Sequence, residues 1–225
     1  MKTLFSILLI VLGCFNGYSQ KDSLKINSYL KNFQISKPPL YSYLINKDNE
    51  FNSNLKKRRI EDIVLLRFFI KDSSELGYKY STHAMDNYNV IMSGYVKYKY
   101  LFYKWFKYND KLNYVIYILD NEDNRNIYLS IFNEKGERLS KLLLSEEILS
   151  ASFTESLIDT DFTIKRVVYN NKTNNITEIV VETLKFNETN NEFYSVKKEK
   201  IEVKHFYYDY KSHSLNDDPL LQKNQ

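Results

Sequence analysis

Histidines and nucleophile motifs are the first places to look for catalysis in this sequence. The three histidines, His83, His205 and His213, are too scattered to predict a pair, and His83 and Asp86 form only a two-ligand cluster without an HExxH pattern. Neither a nucleophile elbow nor a glycine-rich phosphate loop occurs. The sequence therefore predicts no catalytic residue, no metal site and no cofactor. An enzyme whose acids come from distant positions remains the catalytic alternative.

Two acidic segments have oxygen ligands that suit calcium. Residues 120–126 carry oxygens at alternate positions, but Arg125 stands where a calcium loop needs glycine and Ile131 stands where the closing glutamate belongs. This segment is better interpreted as a hairpin turn. A second acidic set is interpreted as a plain loop: Glu155, Asp159 and Asp161.

The densest interleaving of aromatic and basic residues lies between Gly94 and Tyr108. In a strand, alternate residues face opposite sides, so the mainly aromatic even positions are predicted to face the core. The mixed odd positions supply the candidate ligand-binding residues: Lys97, Lys99, Tyr103, Trp105 and Lys107. Aromatic rings flanked by lysines suit a glycan or an anionic envelope surface. We expect Trp105 to be exposed to solvent, so that Trp105→Ala leaves folding nearly intact. The competing interpretation of these five residues is an ordinary amphipathic strand face that binds no ligand.

The first twenty residues resemble an export signal. A basic start is followed by an apolar run at residues 4–12 and by small residues ahead of Gln20. We expect cleavage after Ser19 and a secreted or periplasmic protein without a transmembrane anchor after processing. Alternatively, residues 11–14 resemble a bacterial lipobox, which would make Cys14 a lipidation site and anchor the protein in the envelope.

Composition narrows the remaining classes. The net charge of +4 is modest, and acids and bases are mixed along the chain, so no nucleic-acid partner is expected. The basic run Lys56–Arg59 is interpreted as a solvated turn. Since Cys14 is the only cysteine, cleavage after Ser19 would leave a chain without disulfides that depends on its hydrophobic core.

The elements that must position these residues are predicted to be mainly β. Apolar and aromatic runs alternate with Asn, Asp and Gly clusters, which is typical of antiparallel hairpins. The connections are too short for parallel crossovers. We predict an antiparallel meander of six or more strands, forming a curved sheet or an up-and-down barrel, from these runs: Tyr95–Tyr108, Leu112–Leu119, Ile127–Phe132, Arg138–Leu144, Phe162–Tyr169, Ile176–Phe186 and Phe193–Tyr208.

Other segments complete the predicted organisation. We expect a short helix within residues 20–33, a buried strand at Ile60–Ile70 and a helix that begins with Ser145 as its N-cap. The lysines of the run at 193–208 predict an exposed edge strand. The expected divisions are a signal peptide (1–19), a mixed N-terminal segment (20–55), a β domain (56–210) and a disordered tail (211–225).

The signal ending Tyr18-Ser19-Gln20 and the hairpin at Tyr128–Leu139 resemble those of secreted β-rich proteins and lipoproteins of Bacteroidota. The resemblance implies export and an envelope association. The sequence thus favours an exported, non-catalytic β domain whose ligand is not identified, with a glycan or an anionic polymer as the candidate ligand. The alternatives are a hydrolase that uses carboxylates and a β-barrel carrier of a small apolar ligand.

Overall fold

The computed structural model describes residues 26–33, 35–61, 63–70, 77–84, 90–120, 125–148, 152–172 and 175–206. The expected signal peptide, Cys14, His213 and the expected tail lie outside the described residues.

Eleven strands are present among the described residues: β1 (Leu40–Tyr41), β2 (Gly77–Ala84), β3 (Val90–Lys97), β4 (Lys99–Lys107), β5 (Leu112–Asp120), β6 (Arg125–Asn133), β7 (Arg138–Ile148), β8 (Ser152–Ile158), β9 (Ile164–Lys172), β10 (Asn175–Asn187) and β11 (Glu192–Phe206). The helical elements are α1 (residues 26–30), a 3-10 helix (Ser42–Lys47), α2 (Asn49–Ser53), α3 (Leu55–Arg58) and α4 (Ile63–Phe69). The short helix expected within residues 20–33 is confirmed for residues 26–30.

Nine of these strands form one antiparallel sheet. Strands β4 to β11 lie side by side in chain order, and β1 pairs with β8. The predicted meander is confirmed, and because the sheet is not closed it is an open sheet rather than a barrel. Strand β11 is the terminal strand, as the sequence predicts for the run at 193–208.

The predicted single strand Tyr95–Tyr108 is wrong, because the run serves two sheets. Residues up to Lys97 belong to β3, which pairs with β2 in a separate two-stranded sheet. The run breaks at Tyr98, and β4 then pairs with β5 in the main sheet.

The predicted strand at Ile60–Ile70 is also wrong, since most of this segment forms α4. Leu65 and Phe69 are four residues apart, so a helix turns both side chains to one side, where they are buried. The Phe69 ring packs edge-on against Tyr117 of the sheet, with 4.9 Å between ring centroids.

The helix predicted to begin at Ser145 is absent, because β7 continues through this segment. Ser145 pairs with Ile127 of β6, and Glu146 pairs with Thr154 of β8. Ladder pairing on both sides replaces the capping that the sequence suggested. Strand β8 lies between the predicted strands Arg138–Leu144 and Phe162–Tyr169, where the sequence pattern predicted no strand.

Both faces of the first half of the sheet are buried. One face, called the inner face, packs Ile116, Ile118 and Leu129 against Ile45 and Phe51 of the N-terminal helices. The opposite, outer face packs another set of sheet residues against α1 and α4: Tyr100, Phe102, Trp105, Val115, Tyr117, Leu119 and Phe132. A third apolar cluster lies on β8–β10 and consists of Phe153, Leu157, Val167, Tyr169 and Ile179.

The edge of the sheet formed by β4 is covered by the N-terminal segment. Along the outer edge of β4, the carbonyls of Tyr100 and Trp105 accept hydrogen bonds from the backbone N–H groups of Ile60 (2.8 Å) and Ser36 (3.0 Å). The Tyr103 carbonyl accepts from the Arg58 guanidinium at 3.0 Å. This edge is therefore closed by the N-terminal segment. The basic run that was predicted to be a solvated turn forms α3 and contributes directly to that closure.

Candidate functional site

The aromatic and basic stripe does not form one binding face. In the β4–β5 register Phe102 pairs with Tyr117 and Lys104 pairs with Ile116, so Tyr103 is an extra residue that forms a β-bulge. The bulge reverses the alternation of side chains. Tyr103 consequently packs in the inner-face core, whereas Trp105 packs in the outer-face core.

Trp105 is a core residue. Its side chain is 9% exposed, and its indole N–H donates to the Phe33 carbonyl at 3.3 Å. The expectation that the Trp105 side chain is exposed to solvent is wrong. The reason is that the N-terminal segment covers the face that the alternation of side chains along a strand predicts to be open to solvent.

Tyr103 is buried and serves as an anchor for α2. Its hydroxyl donates to Asp48 at 2.9 Å, and the other carboxylate oxygen of Asp48 accepts from the N–H of Phe51 as the N-cap of α2. Burial acts to raise the pKa of Asp48, but the hydrogen bonds from Phe51 and Tyr103 outweigh it and lower the pKa. Burial, followed by the bond to Asp48, raises the pKa of Tyr103.

The lysines of the stripe are dispersed. Lys97 belongs to β3 of the separate hairpin, and Lys99 is half-buried at the start of β4. The exposed Lys107 pairs with Asp110 at 2.6 Å. The five predicted binding residues are therefore not brought together on one surface.

The acidic candidates lie in strand β8 (Glu155) and in one tight turn (Asp159 and Asp161). Glu155 was predicted to lie in a loop but is a buried residue of β8. Asp161 stabilises its own turn by accepting from the Thr163 hydroxyl at 2.7 Å, which, with the Thr163 N–H, lowers the Asp161 pKa. Asp120 pairs with Arg125, which fits the hairpin turn predicted at residues 120–126, although residues 121–124 lie outside the described residues. Within the described ranges, no three side chains of His, Cys, Asp or Glu gather as metal ligands would.

The structure instead brings three hairpin turns together at one end of the sheet. Turns from β4–β5, β6–β7 and β10–β11 surround a pocket of about 280 Å³, here called the turn-end pocket. Its lining consists of Lys111, Leu112, Asn133, Glu134, Lys135, Leu139, Glu188 and Asn191. The first and last hairpins of an eight-strand succession meet here, which shows that the sheet curls.

Two long-range contacts hold the turns of this pocket in place. The Asn109 amide nitrogen lies 3.4 Å from both carboxylate oxygens of Glu188, which joins the β4–β5 turn to the β10–β11 turn. On the other side, the Asn27 side chain of α1 donates to the Glu134 carbonyl at 3.0 Å and holds the β6–β7 turn.

The lining of the pocket is balanced in charge. Lys111 and Lys135 contribute two positive charges, and Glu134 and Glu188 contribute two negative charges. All four side chains are exposed. The apolar part comes from Leu112, which is buried, and from the half-buried Leu139. Such a lining offers hydrogen-bond donors, acceptors and a small apolar contact.

An aromatic cluster stabilises the same end of the sheet. The rings of Tyr108 and Tyr114 stack at 5.0 Å, and Phe162 packs edge-on against both. Phe162 has a φ of 62°, a conformation that is unfavourable for a bulky residue. Burial, and next the nearby Glu188 carboxylate, raises the pKa of Tyr108. The cluster adjoins the pocket, because the Tyr108 N–H donates to the carbonyl of the lining residue Leu112 at 3.1 Å.

The turn-end pocket was not predictable from the sequence. The Asn, Asp and Gly content of the three turns predicts them correctly, and the meander gives the order of the strands, but no sequence signal indicates the curl that brings the turns together. The only local signal is the concentration of charged residues in the turns at residues 109–111, 133–137 and 187–192.

No protein-family model matches the chain, and neither a curated protein nor a solved structure does. In the part of the chain that the structure describes, no helix is both long and apolar enough to cross a membrane.

Proposed function

We propose that this protein is an exported, non-catalytic β domain that binds a small neutral glycan unit in the turn-end pocket. The observation that carries this proposal is the convergence of three distant turns on a pocket of about 280 Å³. That volume is close to the lower end of the range of small-molecule sites, roughly 300–1,000 Å³. It suits a single sugar ring rather than an extended ligand.

The lining supports a neutral ligand over an anionic polymer. Because the charges of the two lysines and the two glutamates cancel, the pocket lacks the positive excess that attracts polyanions. Sugar hydroxyls both donate and accept hydrogen bonds, so carboxylate, ammonium and amide groups can all pair with them. Leu112 and Leu139 supply a contact for the apolar C–H side of a sugar.

Export is supported by the amino-terminal sequence. A basic start, an apolar run and a polar mature start form the pattern of a signal peptide. The resemblance to secreted proteins of Bacteroidota is consistent with an envelope setting. Mass spectrometry of the processed amino terminus tests this part: Gln20 supports a soluble secreted form, whereas a lipidated Cys14 supports an anchored one.

A carboxylate-based hydrolase is the second candidate, because Glu134 and Glu188 line the same pocket. Glycoside hydrolysis uses two carboxyl groups on opposite sides of the scissile bond. Binding is preferred because catalytic acids are usually tuned by burial and close charges, and these two glutamates are exposed.

Titration of the isotope-labelled mature chain tests the proposal. The probes are glucose and N-acetylglucosamine as neutral sugars, with glucuronic acid as the anionic control. We expect saturable amide shift changes at the three turns for a neutral sugar, which Glu188→Gln and Lys111→Ala weaken; the matched control Lys57→Ala, on exposed α3, does not weaken them.

Three results would contradict the proposal. A response to glucuronic acid alone would show that the ligand is anionic, and no response at the turns would remove the pocket as a binding site. Hydrolysis of nitrophenyl glycosides that is lost in both Glu134→Gln and Glu188→Gln would establish the hydrolase instead.

A further inference from the structure

We propose that Asn109 is the positioning residue of the turn-end pocket, and that its contact with Glu188 is a latch that holds the first and last hairpins of the open sheet together. The inference rests on the proposed binding site, because it assigns Asn109 the role of setting the width of that site.

Asn109 acts on both sides of the pocket at once. Its side-chain oxygen accepts hydrogen bonds from the N–H groups of Lys111 and Leu112, each at 2.9 Å, and thereby fixes the backbone of two lining residues. Its amide nitrogen faces the carboxylate of Glu188, a third lining residue, at 3.4 Å. One side chain therefore orients lining groups from two hairpins that are 79 residues apart.

The Asn109–Glu188 contact joins two parts of the sheet that are far apart in the strand order, so its loss is expected to reduce the curl of the sheet. Strands β5 and β10 lie on opposite sides of the β6–β9 succession. Apart from the Asn109–Glu188 contact, the rings of Tyr114 and Phe186 also meet across the inner face, at 6.4 Å. The apolar contact supports closure, whereas the polar contact lies at the rim, where the pocket opens to solvent.

Ligand binding and closure are linked in this arrangement. A sugar that contacts both Lys111 and Glu188 favours the closed arrangement of the two turns, so the latch and the ligand stabilise the same state. Loss of the latch is expected to widen the pocket even without a ligand.

Exchange of donor and acceptor tests the latch. Asn109→Asp keeps the oxygen that orders the turn but places a carboxylate against Glu188. We expect repulsion to separate the turns. The double variant Asn109→Asp with Glu188→Gln restores one donor and one acceptor in reversed order, and we expect it to restore the contact.

Spin labels at Asp110→Cys and Thr189→Cys report the distance between the two turns in the mature chain, which has no other cysteine after cleavage at Ser19. We expect a longer or broader distance distribution for Asn109→Asp and recovery in the double variant. Circular dichroism confirms that each variant is folded.

Asn170 provides a matched control outside the pocket, because it makes the same type of contact between the neighbouring strands β9 and β10: its amide donates to Glu178 at 3.0 Å. Asn170→Asp should leave the label distance unchanged. An unchanged distance in Asn109→Asp, or a double variant that does not recover, overturns the latch. Because this readout needs no sugar, such a result leaves the sugar titration as an independent test of the binding proposal.

Discussion

The Ser42 hydroxyl accepts a hydrogen bond from the backbone N–H of Ser156 at 2.8 Å, and it lies 3.4 Å from the Leu144 carbonyl, to which it donates. The Ser156 hydroxyl donates to the same carbonyl at 2.7 Å. Strand β7 pairs with β8 over only three residue pairs, and these two buried serines replace ladder bonds where the strands separate. A polar seam therefore joins the two halves of the sheet.

Ser42→Ala is expected to destabilise the protein, because it leaves the Ser156 N–H buried without this acceptor. The expected loss of unfolding free energy is about 1–3 kcal/mol, the usual penalty for an unsatisfied buried group. Urea denaturation measures it. Ser53→Ala, which removes an exposed hydroxyl bonded to Glu50, is the control and should cost under ~0.5 kcal/mol. Equal costs would contradict the assigned role of the seam.

Trp105→Ala is expected to destabilise the fold strongly, in contrast to what the sequence pattern suggested. Removal of a buried Trp side chain typically costs about 3–5 kcal/mol. Circular dichroism during denaturation measures the change, since Trp105 is the only tryptophan and the variant loses its fluorescence. Tyr194→Ala is the control, because Tyr194 is 46% exposed. A Trp105→Ala variant as stable as this control would place the indole in solvent.

Asp48 is expected to make the protein less stable at low pH. Its pKa in the folded state is lowered from 3.8, so its stabilising contribution is present above that value and is lost as the pH falls through the lower folded pKa. Asp48→Asn keeps an N-cap acceptor but removes the titration. Stability curves against pH should therefore be flatter below pH 3.8 in Asp48→Asn than in the parent protein. Curves of equal steepness would argue against the Asp48 assignment.

At position 162, the glycine variant is expected to be at least as stable as the alanine variant, which reverses their usual order of stability. Both Phe162→Ala and Phe162→Gly lose the contacts with Tyr108 and Tyr114, but only glycine adopts a φ of 62° without a steric cost. We expect the glycine variant to be at least as stable as the alanine variant, with a difference of up to ~1 kcal/mol. Thermal denaturation of both measures it. At Lys185, an exposed position within β10 that pairs with Tyr194, the glycine variant should be less stable than the alanine variant. The same order of stability at Phe162 would contradict a strained turn.

The hairpins were predictable because their signals are local. Turns rich in Asn and Asp separate apolar runs, and adjacent strands pair in chain order, so the meander follows from short-range chemistry. The faces of β4 were not predictable. Both faces of this strand are aromatic and both are covered, so the sequence carries no polar marker for the bulge at Tyr103.

Helix α4 and the turn-end pocket were also not predictable from the sequence. Residues 60–70 are so apolar that strand and helix periodicities both fit, and only packing against Tyr117 decides between them. The pocket depends on the curl of the sheet, which brings Asn109 to Glu188. Neither residue carries a sequence signal for the other.

The pairing of Leu40 with Ile158 has a consequence for the order of folding. Residues of the N-terminal segment emerge first during synthesis, yet their partner strand β8 is among the later ones. Contacts of such long sequence separation raise the contact order and slow folding. We therefore expect residues 40–60 to dock last, after the hairpins have formed. Until this docking, the apolar inner face of the sheet that Ile45 and Phe51 cover in the folded protein would stay open to solvent.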